Sequence, residues 1–413
     1  MSSTTLLEAL RAAVAFQPQG ERVFNLSWGR GTLDGKPVRV ALVENRFAGG
    51  SIGVAEAERM AALFKVVAKE RSALVLYLDS AGAKVSEGLK ALGAFRALYR
   101  AGLDAAGSGA HLAAVLGNNC FGGSSMLAHL APQRLFGPQT RLAMSGPAVL
   151  AAAAGMDALD EMFRAMAEAT LAASMRAKAC PANSVWAADT DVGGWLRGAL
   201  GDKTDPHARH EALGLRIAKE PEPAMEPVQR RDLHNIYDDG YEAREAHGLL
   251  AGHGKRAGEE EAFIGLVGHK PVGAARAWRF AELAWNHTVH PPARLEVYLD
   301  CASHAPRLED EKLVLSEFIA GMSRALAALA AKGTRVGLTI LGQAGGGVYV
   351  ALAAPAARVA SLHGAEIQVL PGAAVAAILG GERPDAMSDF EAYKEAGVAE
   401  EELRIGIVPG AAP

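Results

Sequence analysis

Two glycine-bearing stretches have the residue types for main-chain chemistry. Residues 118–126 read NNCFGGSSM and residues 79–84 read DSAGAK. A plain turn needs only one residue of positive φ. The pair Gly122–Gly123 implies a backbone approached closely by something else, with N–H groups free to point at it. Each stretch follows a buried-strand pattern, LVLYL or HLAAVLG. In a parallel sheet both loops therefore lie on the carboxyl edge and can converge. Two converging N–H donors make an oxyanion hole, suited to a thioester carbonyl that becomes an enolate. Losing one such donor costs roughly 3 kcal/mol of barrier. The plainer alternative is two tight connections that merely need small residues.

Other candidates carry less. Cys120 has no histidine nearby in sequence that must pair with it, so a small buried loop residue is its expected role. His207 and His210 have a metal-compatible spacing but no third ligand in view, which favours a solvated helix face. His304 follows a second small-residue loop and has the chemistry of a proton donor, although a loop histidine is more often exposed. Glu87 fits either proton transfer, orientation of its loop, or capping of the helix that starts beside it. GRGTLDG only mimics a dinucleotide fingerprint, because its third glycine is misplaced and Asp34–Gly35 reads as a hairpin turn.

The elements that must position these loops occur twice. LVLYLDSAG (74–82) is echoed by LEVYLDCAS (295–303), and each is followed by a helical pattern. A second strand then leads to a glycine cluster, HLAAVLG to CFGGSS and RVGLTILG to QAGGGV. Even the approach repeats, FAGGSIGVAEAERMAALFKVV against HKPVGAARAWRFAELAW. Four matches in one order define two related α/β domains of parallel βαβ units. The expected division is residues 1–220, a charged, proline-bearing linker at 221–235, and residues 236–413.

Half the 413 residues are apolar and 21% charged, which fits a sizeable core. A formal net charge of −4 gives no reason to expect nucleic acid or an anionic membrane as partner. Cys120, Cys180 and Cys301 form neither a disulfide framework nor a zinc knot, as in a reducing cytoplasm. The start lacks a basic leader, and Thr5 with Glu8 reads as a capping box. The most apolar stretch, VGLTILGQAGGGVYVALAAPAARVASL, is broken by glycines, Gln343, Pro355 and Arg358, and reads as strand, turn and helix rather than a membrane span.

GRGTLDGKPVRVALVENRFAGGSIG, LDSAGAKVSEG, NNCFGGSSM and RLAMSGPAVL strongly resemble the beta subunit of biotin-independent malonate decarboxylases, in the carboxyltransferase branch of the crotonase-like superfamily. DCASHAPRLEDE and LGQAGGGVYVALAAPAARVASL resemble the gamma subunit more weakly. The resemblance implies a beta–gamma fusion of two tandem crotonase-like ββα-spiral domains. Its implied reaction is decarboxylation of a malonyl thioester to the acetyl thioester through an enolate. The carrier would be coenzyme A or the phosphopantetheine of an acyl carrier protein, with no cofactor bound directly. Donors fall at Gly82 or Ala83 and at Gly122 or Gly123. Ser145 and Gly146 open a helix beside the site, and Ser303, His304, Gly346 and Gly347 form the equivalent second-half pocket.

The implied partners are acyl carrier and acyltransferase subunits of a decarboxylase complex. Neither nucleic acid nor a membrane is expected, and paired domains predict a cytoplasmic homodimer. The chain departs from the family pattern at Ala81, Ala148, the stretch after residue 165, and Gly346–Gly347, and no His and Lys stand near Val369 to Ala373. These departures bear on recognition of substrate or carrier. Two other readings fit: a carboxyltransferase component of a biotin-dependent acyl-CoA carboxylase or decarboxylase, and a non-catalytic acyl-carrier-binding assembly subunit.

Overall fold

Alternating apolar residues in the first half form a hairpin, Leu26–Leu33 paired antiparallel with Lys36–Val43. Its turn residues Asp34 and Gly35 both have positive φ, 50° and 75°, as a tight hairpin requires. From Lys36–Val43 the sheet continues in parallel through Ala73–Ser80 to His111–Phe121. Helices Val54–Glu70 and Gly88–Gly107 make the crossovers, burying Met60, Phe64, Phe95 and Leu98 against the strands. This computed structural model describes residues 5–155, 161–187, 189–217, 224–237, 239–379 and 389–404.

The second half repeats the plan. Leu249–Arg256 pairs antiparallel with Glu259–Leu266, which runs parallel to Arg294–Cys301 and then Arg335–Gly345. Among the described residues two sheets result, of eight and nine strands, and the expected tandem α/β architecture is present. The repeat extends to irregularities: register slips between Leu78 and Ser80, and again between Leu299 and Cys301. At each slip the Leu-Asp aspartate accepts an N–H from the neighbouring strand, Asp79 from Asn119 and Asp300 from Gln343, both at 3.0 Å. A donor orphaned by the irregularity is thereby satisfied.

One apolar core runs through both halves, from Leu26 to Ala399. Helix Gly88–Gly107 packs against Leu315–Ala331 and Gly346–Ala353 of the second half. Each fully buried Leu or Phe along this seam contributes about 1.5–3 kcal/mol, so the halves are joined by packing rather than tethered. Beside the seam the Glu317 carboxylate is ringed by Arg134, Arg209 and Arg216 at 3.7, 3.4 and 2.9 Å.

The capping box forms: Thr5 Oγ1 accepts the Glu8 N–H, and Glu8 Oε2 accepts the Thr5 N–H at 2.8 Å. The expected solvated helix face holds for His207, which is exposed, and is corrected for His210. Helix Pro206–Gly214, capped by Asp205, packs on Ala274–Asn286. His210 is 3% exposed and stacks on Trp278 with ring centroids 5.2 Å apart. The segment's charges pair inward, because Arg209 and Arg216 both reach Glu317. Within the expected linker, residues 221–223 lie outside the described residues; Glu226–Pro227 pairs with Tyr241–Ala246, and Leu233 of helix Arg231–Ile236 is buried.

Candidate active site

The two glycine-bearing loops of the first half converge. A methyl group built on Gly82 would lie 2.8 Å from the Phe121 carbonyl oxygen and 3.4 Å from the Gly123 nitrogen. Gly82 has φ 100° and Gly122 has φ 53°, both disfavoured for residues with a side chain. The Gly82 N–H donates to Ser80 Oγ at 3.1 Å, and the Gly122 N–H to the Ala143 carbonyl at 3.0 Å. Among the described residues no acceptor takes the N–H of Ala83 or of Gly123. Of the alternatives at each loop, Ala83 and Gly123 are therefore the free donors.

Repeat symmetry places a second pair. Val272 bridges His304 as Ile52 bridges Ala83. The Gly346 N–H is taken by the Val369 carbonyl at 3.0 Å, while the His304 and Gly347 N–H groups have no acceptor among the described residues. All four residues line one cavity of about 580 Å³ between the halves. Its wall is largely apolar, including Phe95, Met144, Val149, Val350 and Leu370. The halves meet so closely that a methyl on Gly347 would lie 2.1 Å from Met144 Cε. Both halves of the cavity belong to a single chain.

Ser145 and Gly146 precede helix Pro147–Ala153, with Gly146 as its N-cap, as expected. Gly146 lines the cavity, while Ser145 lies behind it, 1% exposed. Its hydroxyl is 2.8 Å from His304 Nε2, and Ser303 Oγ is 3.1 Å from His304 Nδ1. His304 is buried, not the exposed loop histidine that general tendencies favour. Burial lowers its pKa to about 4. A neutral imidazole with both nitrogens engaged is a poor proton donor. Its geometry instead suits bracing the loop that carries its own N–H.

Glu311, at 0% exposure, accepts the Ser145 N–H at 2.8 Å and faces Arg176 at 3.9 Å. Burial raises its carboxyl to about 7 against the pull of Arg176. Sequence reasoning missed this residue, because LEDEK reads as an exposed helical turn. Glu87 caps a different helix from the one expected: its carboxylate accepts the Val54 N–H at 2.7 Å, as Asp310 accepts that of Ala274. It also pairs with Lys84, a cavity-lining residue, at 2.8 Å. Cys120 is fully buried, and burial pushes its thiol up, away from the reactive thiolate.

Residues 13–168 match the carboxyl transferase domain family. A 129-residue stretch is 26% identical to the methylmalonyl-CoA carboxyltransferase 12S subunit of Propionibacterium freudenreichii subsp. shermanii, covering 31% of this chain and 24% of that protein. A 137-residue stretch is 30% identical to the acetyl-coenzyme A carboxylase carboxyl transferase subunit beta of Synechococcus sp. (strain JA-3-3Ab), covering 33% and 44%. The matches thus span less than half the length of either relative. Among solved structures, a Pseudomonas malonate decarboxylase hetero-tetramer in complex with malonate is similar over 54% of this chain and 94% of that one, at 22% identity and a TM-score of 0.45. Transcarboxylase 12S is similar over 97% and 86%, at 18% identity and a TM-score of 0.40. The stretch that matches the carboxyl transferase domain is the one that holds Ala83, Gly123 and Gly146.

Proposed function

We propose that this chain is an enzyme of the carboxyltransferase kind that decarboxylates a malonyl thioester, carried on coenzyme A or a carrier protein, to the acetyl thioester. The observation that carries this reading is the pair of unengaged N–H groups, Ala83 and Gly123, on the wall of an apolar cavity. Both would donate to the thioester carbonyl oxygen. As the bond to the carboxylate carbon breaks, its electron pair becomes the enolate, and charge grows on that oxygen. CO2 leaves, and a proton then adds to the α-carbon. Each donor contributes roughly 3 kcal/mol to the enolate-like transition state. The His304 and Gly347 pair would hold the departing carboxylate through weak neutral donors, and the apolar wall favours dispersing its charge.

On this reading the chain works as a cytoplasmic homodimer with an acyl carrier protein and an acyltransferase subunit. No helix among the described residues is long and apolar enough to cross a membrane. A second reading draws on the duplicated donor pair: two enolate-like oxygens, one on each side, would suit carboxyl transfer to or from biotin. Mass spectrometry of malonyl-coenzyme A and of a malonyl carrier protein, incubated with the chain and free biotin, with and without avidin, tests both. Acetyl thioester formed indifferently to avidin supports decarboxylation; avidin-sensitive turnover selects carboxyl transfer. Binding without turnover of either thioester overturns both in favour of a non-catalytic carrier-binding subunit.

A further inference from the structure

The cavity opens beside a rim that the fold does not explain. The five residues 45–49 are exposed without a break. Phe47, within them, is 60% exposed, and neighbouring Phe24 is 58% exposed. Among the large apolar residues exposed in the described chain, these are the only aromatic rings. Phe24 also adopts φ 42°, a left-handed conformation rare for a bulky residue. Its ring lies 5.5 Å from Lys84 Nζ, and Lys84 and Ala48 both line the cavity.

Charge gathers at the same place. Arg11, Arg22 and Arg46 all reach the buried Glu44 carboxylate, at 2.9, 2.8 and 3.1 Å. Three guanidiniums face Glu44, with Glu8 beside Arg11 as a second carboxylate, which leaves positive charge in excess on a chain whose formal net charge is −4. The Arg46 side chain is 49% exposed. This rim is also bonded to the catalytic loop. Asn25 Oδ1 accepts the Phe47 N–H at 2.9 Å, the Gly49 carbonyl accepts the Ala81 N–H at 2.8 Å, and the Ile52 N–H donates to the Gly82 carbonyl at 2.8 Å.

Resting on the thioester reading above, we propose that this rim docks an acidic carrier protein, which delivers its phosphopantetheine thioester into the cavity. The carrier's carboxylates would meet Arg22 and Arg46, while its apolar surface covers Phe24 and Phe47. Exposed aromatic and arginine side chains grouped together are what protein interfaces bury at their hot spots. Coenzyme A fits less well. Small-ligand sites enclose most of their ligand, yet both rings are more than half exposed. Lys84, the one Lys or Arg on the cavity wall among the described residues, is already paired with Glu87.

The test compares three thioesters of malonate: on pantetheine, on coenzyme A, and on a phosphopantetheinylated acidic acyl carrier protein. The full-length double variant Arg22→Gln/Arg46→Gln keeps Arg11 to neutralise Glu44, and Phe24→Ala serves as an independent second variant. Each should raise KM for the carrier substrate about tenfold or more, with KM for malonyl-pantetheine changed less than about twofold. Fluorescence anisotropy of the labelled carrier should show binding that weakens between low and high salt in the wild type and loses that dependence in the arginine variant. Equal losses with coenzyme A and carrier would overturn the proposal in favour of a phosphate site, as would unchanged carrier KM in both variants. Failure of wild type to turn over malonyl-pantetheine would count against the decarboxylase reading instead, and carrier anisotropy would still report on the rim.

Discussion

Replacing Gly123 with alanine tests the donor pair at its most constrained member. Gly123 does not need positive φ, so alanine brings no backbone strain of its own. A methyl there lies 2.5 Å from Phe95 Cζ and 2.6 Å from Cε1, whereas comfortable carbon contacts begin near ~3.5 Å. Phe95 is 1% exposed and packed in the shared core, and the open space beside its ring is the cavity that it lines. The missing ~1 Å is shared between that ring and the backbone at Gly123, and the N–H moves with the backbone. Loss of that donor corresponds to roughly 3 kcal/mol of barrier, a kcat lower by about a hundredfold. Overpacking adds about 1–3 kcal/mol of destabilisation. The assay is kcat and KM on malonyl-pantetheine, with Tm measured alongside. Adding Phe95→Leu makes room for the methyl, so the double variant should recover about tenfold or more in kcat over Gly123→Ala alone. A Gly123→Ala enzyme that keeps kcat within about threefold of wild type would refute the assignment of Gly123 as donor.

Burial raises Glu311 from the ordinary 4.5 to about 7, so the folded chain keeps a proton that the unfolded chain loses. Its contribution to stability therefore falls as pH rises from about 4.5 to about 7, by up to ~3 kcal/mol. His304, lowered from 6.5 to about 4, acts oppositely: its contribution is present above 6.5 and lost as pH falls towards 4. Urea melts across pH 4 to 8 should show Glu311→Gln flattening the loss on the alkaline side and His304→Asn the loss on the acid side. Removing Glu317 strands Arg134, Arg209 and Arg216 without their shared carboxylate, so Glu317→Ala should cost about 3–5 kcal/mol in urea unfolding. Cys120→Ala should leave kcat within about threefold, since a buried thiol with a raised pKa offers no thiolate; inactivity with an unchanged fold would argue for covalent catalysis.

The strand–loop–helix units were legible because their signals are local. Period-two apolar runs, Asp34–Gly35 and the Leu-Asp endings each act within a few residues of where they stand. The duplicated Asp79 and Asp300 were visible as pattern but not as purpose, since the N–H each accepts comes from a strand about forty residues on. His304 and Glu311 were harder still. Their partners Ser145 and Arg176 belong to the other half, and no spacing rule connects residues more than 130 positions apart. The HARH segment misled for a related reason: its charge looked solvated because Glu317 and Glu282, which receive Arg209 and His210, lie 108 and 72 residues on.

On the proposed reading the donors are main-chain groups, and the departures from the malonate decarboxylase pattern then take on a different weight. Ala81 stands where the family has glycine, yet its N–H goes to the Gly49 carbonyl and the free donor is the next residue but one. Ala83 and His304 occupy equivalent positions with side chains of unrelated chemistry, and both present an unengaged N–H. Selection on a backbone donor constrains φ, ψ and close approach, and leaves the side chain free to change. Positive φ is shared by the equivalent Gly122 and Gly346, whereas Ser303, the counterpart of Gly82, presents its loop without it. The side chains beside them have diverged, in His304 to the point of bracing one half against the other. A site built this way can lose most of its recognisable sequence before it loses its geometry, and the place to look for altered specificity is the cavity wall and rim rather than the donor loops.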